Sequence, residues 1–515
     1  MPTDSSGWPG SRPSDDPHRR RGMSTLWKQD TPLHPTFAQV NTSLRDDWFL
    51  LPFELRLQRA SAKALTAASV LSADESASLR GALEALEQQF LGAPCPDSPA
   101  EDLHTWIEAK LTEAAGEAGR KIHTARSRND QVATLLRMFV IDAGERFGAK
   151  LGELVALLAR RAKEWADLPM PMMTHTQFAA PGSAGFWALR YAVALDRLAA
   201  SAAFQVSQWR QRCPLGAGAV AGSSIAIDRA ILARELGFEQ PSLNALYDTS
   251  TRDECVEWLA LAAQTALHFQ SFAADLILFS QSPLRWTRYP PAFATGSSMM
   301  PNKLNPDAME LLRGEAAALP AAHHHALLLL KGLPSGYNRD LQCIKPIVRD
   351  ATGKAFFLCE LLHAFVEGMD FDASRLAASM NVGDIFATLR MEQLVRDGVP
   401  LREAHHAVAT QVRNGTGQSP GNSSQPSDGS TSCFKTPSPF QGEGRGEGES
   451  FHLNHFSPSP NLSPKGERSF ETSSKQFDPL AAIQSYQTIG SAAPAETRRV
   501  AEEMLRRRSA DSASG

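Results

Sequence analysis

Proline is missing from three long, alanine- and leucine-rich stretches of this chain: residues 131–168, the span between Pro181 and Pro214, and the span between Pro241 and Pro283. An interior proline removes a helical hydrogen bond and clashes with the preceding turn, so such stretches are free to stay helical throughout. In the first, Val132, Leu135, Leu136 and Phe139 recur at helical spacing, followed by Phe147, Leu151, Leu154, Leu158 and Ala162. Asn129 or Asp130 is placed to cap its start. Each of the other two predicts a helix of about 30 residues, roughly 45 Å long. Helices of that length are uncommon in globular domains, and a set of them side by side points to an extended bundle. The segment 254–279 carries Trp258, Leu261, Leu267, Phe272, Leu276 and Ile277 on more than one face. A helix apolar almost all round is buried on several sides. Packing against the same helices of other copies is the simplest way to achieve this, so an oligomer is expected.

Shorter helices are expected before the bundle, at about 54–70, 73–91 and 102–118, and after it, at about 344–368, 383–397 and 402–412. Pro320 should kink a helix over 307–331. Residues 414–475 are dominated by Gly, Ser, Pro and polar side chains and contain imperfect repeats. Such a segment buries too little apolar surface to fold and reads as a disordered insertion. "PAETRRVAEEMLRRR" then resumes as a terminal helix, with Arg506, Arg507 and Arg508 complementing the dipole at its end. The resulting organisation is a disordered leader over 1–22 with Met23 as a natural start, an N-terminal helical domain over 23–130, and a central long-helix domain over 131–380. A C-terminal helical domain over 381–413 and 476–515 is interrupted by the 414–475 insertion.

Composition narrows the function. With 52 basic against 56 acidic residues the net charge is −4, which gives no footprint for nucleic acid or a membrane surface. No apolar run approaches the roughly 20 residues that span a bilayer. The leader follows Arg19, Arg20 and Arg21 with no apolar core, so it is not a signal peptide. The six cysteines show no CxxC spacing and no disulfide framework, which fits a reducing cytoplasm and no metal site. Consecutive His323, His324 and His325 point about 100° apart on a helix and cannot share one ion, so they read as a solvated face.

The chemistry is concentrated in four segments. "ATGSSMMPNKLNPDAMELLRG", residues 294–314, sets Gly296, Ser297 and Ser298 in a hydroxyl-bearing turn, with Lys303 and Asn305 bracketed by Pro301 and Pro306. Asp307 is placed to cap the helix that follows. A loop entering a helix N-terminus presents N–H donors and a positive dipole end, which suits carboxylates. "KIHTARSRNDQVAT", residues 121–134, gathers His123, Arg126, Ser127, Arg128, Asn129 and Gln131 at another helix start, an anion-binding composition. "MTHTQ", residues 173–177, places His175 between Thr174 and Gln177. "LPSGYNRDLQCIK", residues 333–345, carries Tyr337, Gln342 and Lys345.

The first segment resembles the "GSSxMPxKxNP" signature of the fumarase/aspartase superfamily. The second, third and fourth resemble the "HTGRSRNDQ", "THxQ" and "LPxxYNxDxQ..K" strings of the argininosuccinate lyase family within it. "PLGAGAVAG" (214–222) and "REAHH" (402–406) match weaker strings of that family. The resemblance implies an all-α, three-domain fold whose central helices form a twenty-helix core in a homotetramer. Each active site would combine segments from three subunits. It implies reversible cleavage of argininosuccinate, a small-molecule substrate, to arginine and fumarate by β-elimination in arginine biosynthesis, with no cofactor. By resemblance Ser297 is the base, Lys303 stabilises the charge that develops, and His175, paired with Glu310, is the acid-side group or its positioner. Ser127, Arg128, Asn129, Thr174, Gln177, Ser298, Asn305, Tyr337, Gln342 and Lys345 would bind substrate.

Four positions depart from the family strings. Where the family has "DIxxSxAHA", this chain has "ELRLQRASA", with Gln58 for a substrate-binding serine and Ser61 for a histidine. Ala125 replaces a glycine, at a position where a positive φ would be costly for alanine. Phe178 replaces an arginine. These changes leave open two alternatives: a related lyase releasing fumarate from another succinyl-amine, or a catalytically inactive paralogue of the fold.

Overall fold

A computed structural model describes residues 33–414 and 478–514. The leader, and the insertion apart from Asn414, lie outside the described residues. Among those described, helices dominate, and the strands occur only as two-stranded pairs. Among the described residues no helix is long and apolar enough to cross a membrane. The chain divides into two compact units. The first comprises 33–170, 182–379 and 483–514, and the second 171–181, 380–414 and 478–482.

In the first unit, α1 (Leu51–Ala67), α2 (Ala73–Phe90) and α3 (Leu103–Ala115) precede α4 (Arg128–Glu164), a helix of 37 residues. The apolar stripe read from the sequence is the buried one: Leu135, Leu136, Phe147, Leu151, Leu154, Leu158 and Ala162 are all buried. Strands β1 (Pro169–Thr174) and β2 (Gln177–Ser183) lead into α5 (Ala184–Arg210), which packs along α4. Gly185 makes this approach possible, because a Cβ there would lie 2.2 Å from the Ala162 carbonyl oxygen.

The third long helix is α6 (Asp253–Ser280). Much of its apolar circumference is covered inside the chain: Trp258, Leu261, Phe272 and Leu276 are all buried. Trp258 stacks edge-on against Phe147 at 5.4 Å and donates to Thr352 Oγ1 at 2.8 Å. Leu267, by contrast, is 57 % exposed.

A short hairpin, β3 (Thr295–Gly296) with β4 (Leu304–Asn305), leads into α7 (Asp307–Ala316) and α8 (Ala318–Leu330). The break at Ala317 is the expected proline effect. Pro320 has no N–H for the Ala316 carbonyl, and its ring crowds that oxygen. Helix α9 spans Ile344–Gly368, and the last helix, α10 (Pro494–Ser514), packs on α4 and α5. It runs past Arg506–Arg508, so these arginines do not sit at its end. Arg508 instead pairs with Asp196 on α5.

The second unit holds the tip of the β1–β2 hairpin and two helices, Ala387–Arg396 and Leu401–Arg413, which close on Leu394, Ala404 and Val408.

Candidate active site

The densest polar geometry surrounds the start of α4. The sequence offers Asn129 or Asp130 as its cap, but the cap is Ser127. Its hydroxyl accepts from the Asn129 N–H at 3.3 Å, and Asp130 Oδ1 accepts in return from the Ser127 N–H at 2.9 Å. Three residues on from the cap, Asp130 completes a capping box. Its other oxygen, Oδ2, accepts from the N–H groups of Gly216 and Gly218, each at 2.9 Å. Burial pushes this carboxyl up to about 6, against the pull of its three N–H donors. One side chain thus fastens the helix start to the 214–222 loop. Asn129 adds a second tie, donating to the Ala219 carbonyl at 2.9 Å.

The ties frame a cavity of about 420 Å³, lined by His123, Ala125, Arg126, Ser127, Arg128 and Asn129 on one side and by Gly218, Ala219, Gly222 and Ser223 on the other. Among the described residues no carboxylate lines it. Burial, helped by the neighbouring Arg126, lowers His123 to about 4, so its imidazole is neutral at physiological pH. Ala125 has φ +61°, the left-handed conformation that its sequence position demands.

The two arginines are held differently. Arg128 is paired with Asp102 at 3.0 Å and donates to Thr105 Oγ1 at 2.8 Å. Arg126 donates to Ser61 Oγ at 2.9 Å, to Gln58 Oε1 at 3.0 Å and to the Ile122 carbonyl. Gln58 in turn donates to Glu54 Oε1 at 2.6 Å, as does Gln131. His104 Nδ1 lies 3.2 Å from the other Glu54 oxygen. Sequence reasoning gave no role to Glu54, Asp102 or His104. Glu54 and His104 are polar residues inside otherwise apolar helical segments, a weak signal, and Asp102 caps the helix that follows it.

The second segment is a clamped loop. Pairing of β3 with β4 closes it, and Asp307 Oδ2 accepts from Thr295 through both its N–H (2.9 Å) and its hydroxyl (2.6 Å). Asp307 therefore locks the base of the hairpin rather than capping the helix, whose cap position is Pro306. Inside the loop the backbone curls around Ser297. Its Oγ accepts from the N–H groups of Met299, at 3.3 Å, and Met300, at 3.1 Å. Ser298 and Lys303 are exposed, and Lys303 forms no ion pair among the described residues. Asn305 is half-buried on β4, and Glu310 is exposed in the first turn of α7.

The third segment is the tip of the β1–β2 hairpin. His175 and Thr176 form its two-residue turn, with φ +52° and +58°. Positive φ at both positions is the geometry of a type I′ turn, which favours Asn and Gly. Holding His and Thr there is strained, and strain of this kind concentrates at working sites. Thr174, His175 and Gln177 are all exposed, and the His175 ring has no hydrogen-bond partner among the described residues. Phe178 packs near Gly383 within the second unit.

The fourth segment is less open than expected. Lys345 is only 1 % exposed and forms an ion pair with Asp47, so its ammonium is already engaged. Tyr337 is half-buried, and burial raises its hydroxyl pKa. The Gln342 Oε1 is buried with no hydrogen-bond partner among the described residues.

Ser127, Arg128 and Asn129 therefore share one cavity. Ser297, Ser298, Lys303 and Asn305 share one loop, with Glu310 a turn beyond. Thr174, His175 and Gln177 share one hairpin tip, which belongs to the second unit, while Ser297 belongs to the first.

Residues 29–320 match the family described as lyase. The chain is 38% identical over 392 residues to an argininosuccinate lyase of Acidobacterium capsulatum, covering 75% of this chain and 80% of that protein. It is 36% identical over 385 residues to an argininosuccinate lyase of Koribacter versatilis, covering 74% and 82%. In fold it is similar to an EDDS lyase variant with bound fumarate, at a TM-score of 0.71 and 19% identity over 94% of this chain and 92% of that one.

Proposed function

The chain belongs to the argininosuccinate lyase family of the fumarase/aspartase superfamily, and on that premise we propose that Ser297 is the base with which it cleaves argininosuccinate to L-arginine and fumarate. It is a carbon–nitrogen lyase. The reaction removes a proton from the succinyl carbon next to a carboxylate. The electron pair forms the new double bond, and the bond to the guanidino nitrogen breaks.

A serine hydroxyl is too weak an acid to ionise unaided. The observation that carries the proposal is the pair of backbone N–H groups, from Met299 and Met300, directed at Ser297 Oγ. Donors fixed in advance on a developing oxyanion favour it without reorganisation. The ammonium of Lys303, which forms no ion pair among the described residues, and the positive end of α7 add to the same field. Lys303 and Asn305 then hold the carboxylate of the enolate-like intermediate. His175 delivers a proton to the departing guanidino group.

His175 and Glu310 are exposed and have no side-chain partner among the described residues, which supports a pairing made between subunits. Phe204, Leu267, Leu311, Leu327, Leu328 and Phe357, spread over α5 to α9, are also exposed. A homotetramer that packs these helices together would cover them and bring the three segments into one site.

Ser297→Ala is expected to lower turnover by about a hundredfold or more, with the circular dichroism spectrum unchanged. Fumarate release measured near its ultraviolet absorption edge checks this, and near-normal turnover would refute the role of Ser297.

A further inference from the structure

The structure assigns to Arg126, held in place by Gln58 and Ser61, the binding of a substrate carboxylate in the cavity at the start of α4. This deepens the proposed function and rests on it.

The argument begins with charge. Arg126 and Arg128 both line the cavity, and their guanidinium groups are held differently. Arg128 is already neutralised by Asp102 at 3.0 Å. Arg126 has only neutral acceptors: the Ser61 hydroxyl, the Gln58 amide oxygen and the Ile122 carbonyl. Glu54, Asp130 and Glu108 act on it from farther off, and none forms an ion pair with it. A guanidinium has five N–H donors. Its three bonds leave two without an acceptor, and the Nε–H among them is buried. A buried cation without an ion-pair partner is costly unless something supplies the missing charge. Among the described residues no acidic side chain lines the cavity beside it, so an anionic ligand is the natural counter-ion.

Gln58 and Ser61 take on a meaning here. Both depart from the family string, and both side chains end on Arg126. Gln58 is buried and tied to Glu54 at its other end, so it works through Arg126 rather than by touching a ligand. The two residues are positioning groups that fix the fork of Arg126 without supplying an ion-pair partner.

Steady-state kinetics of the full-length enzyme with argininosuccinate, together with calorimetric titration of succinate as a carboxylate probe, test this. Arg126→Met should raise KM about tenfold or more, the loss typical of a charged hydrogen bond, with kcat changed less than about threefold. Arg126→Lys keeps the charge but not the two-pronged tether, and should recover most of the lost affinity. Gln58→Glu keeps the tether but cancels the charge, and should raise KM as Arg126→Met does. A purely structural Arg126 predicts the reverse: Arg126→Lys as impaired as Arg126→Met, and Gln58→Glu harmless. That pattern would overturn the proposal. If Arg126→Met does not fold, Gln58→Glu decides between the two. If the wild-type protein does not turn over argininosuccinate, the functional reading falls on its own. Succinate titration then still decides Arg126: weaker binding in Arg126→Met that Arg126→Lys restores upholds it, and equal affinity in all three refutes it.

Discussion

Ala125 and Arg126 stand side by side in the lining of the cavity at the start of α4. Ala125 was legible, because its place in a loop that otherwise calls for glycine announces a left-handed backbone, and its φ is +61°. Arg126, its immediate neighbour, was not. Its tethers lie 65 and 68 residues away on α1, and from sequence Gln58 and Ser61 look like lost function rather than gained contacts. The hydroxyl-bearing turn at Ser297 was read correctly as a turn, but the two N–H donors that converge on its oxygen follow from backbone geometry that no side chain reports. Ala125 also gives a direct stability test. An alanine held at positive φ is disfavoured relative to glycine by about 1 kcal/mol, partly offset by the greater freedom of glycine in the unfolded chain. Ala125→Gly should therefore raise the thermal midpoint slightly. A lower midpoint in scanning calorimetry would mean that alanine is not strained there.

At the scale of elements, the long helices were legible because periodicity survives without knowledge of the partners. The shorter helix 344–368 was placed to the residue, and the break near Pro320 was expected. The ends were harder to read. Ser127, Asn129 and Asp130 are all good caps by type, and only the backbone decides among them. Asp307 is a good cap by type too, yet the Thr295 hydroxyl and N–H claim it first. Asp130 does more than cap. It is the single acceptor for Ser127, Gly216 and Gly218, and so joins a helix to a loop 86 residues away. Asn at that position turns one oxygen into an N–H donor facing N–H donors. Leaving such groups unpaired costs about 1–3 kcal/mol. Asp130→Asn should therefore lower the thermal midpoint and speed hydrogen exchange at Gly216 and Gly218, while amides in the middle of α4 stay protected. Unchanged exchange at the two glycines would show that the loop is held by something else.

The whole molecule sets the remaining problem. By resemblance Ser297 and His175 serve one reaction, yet they belong to different compact units of the chain, with His175 exposed at a hairpin tip and Ser297 half-buried in a hairpin loop. The strain at His175 and Thr176 is maintained by the hairpin itself, which fits a tip shaped to enter another body. If each site draws its serine and its histidine from different subunits of a tetramer, two inactive proteins carry complementary halves. Consider His175→Asn and Ser297→Ala, co-expressed in equal amounts. A site works only when its serine comes from the first variant and its histidine from the second, and random assembly meets both conditions in about a quarter of sites. Activity in the mixture should therefore recover to roughly a quarter of wild type, although each variant alone is nearly inactive. A site built within one subunit predicts no recovery at any mixing ratio, because every subunit then carries one of the two defects. Varying the ratio sharpens the contrast, since shared sites make activity peak at equal proportions and fall off symmetrically on either side.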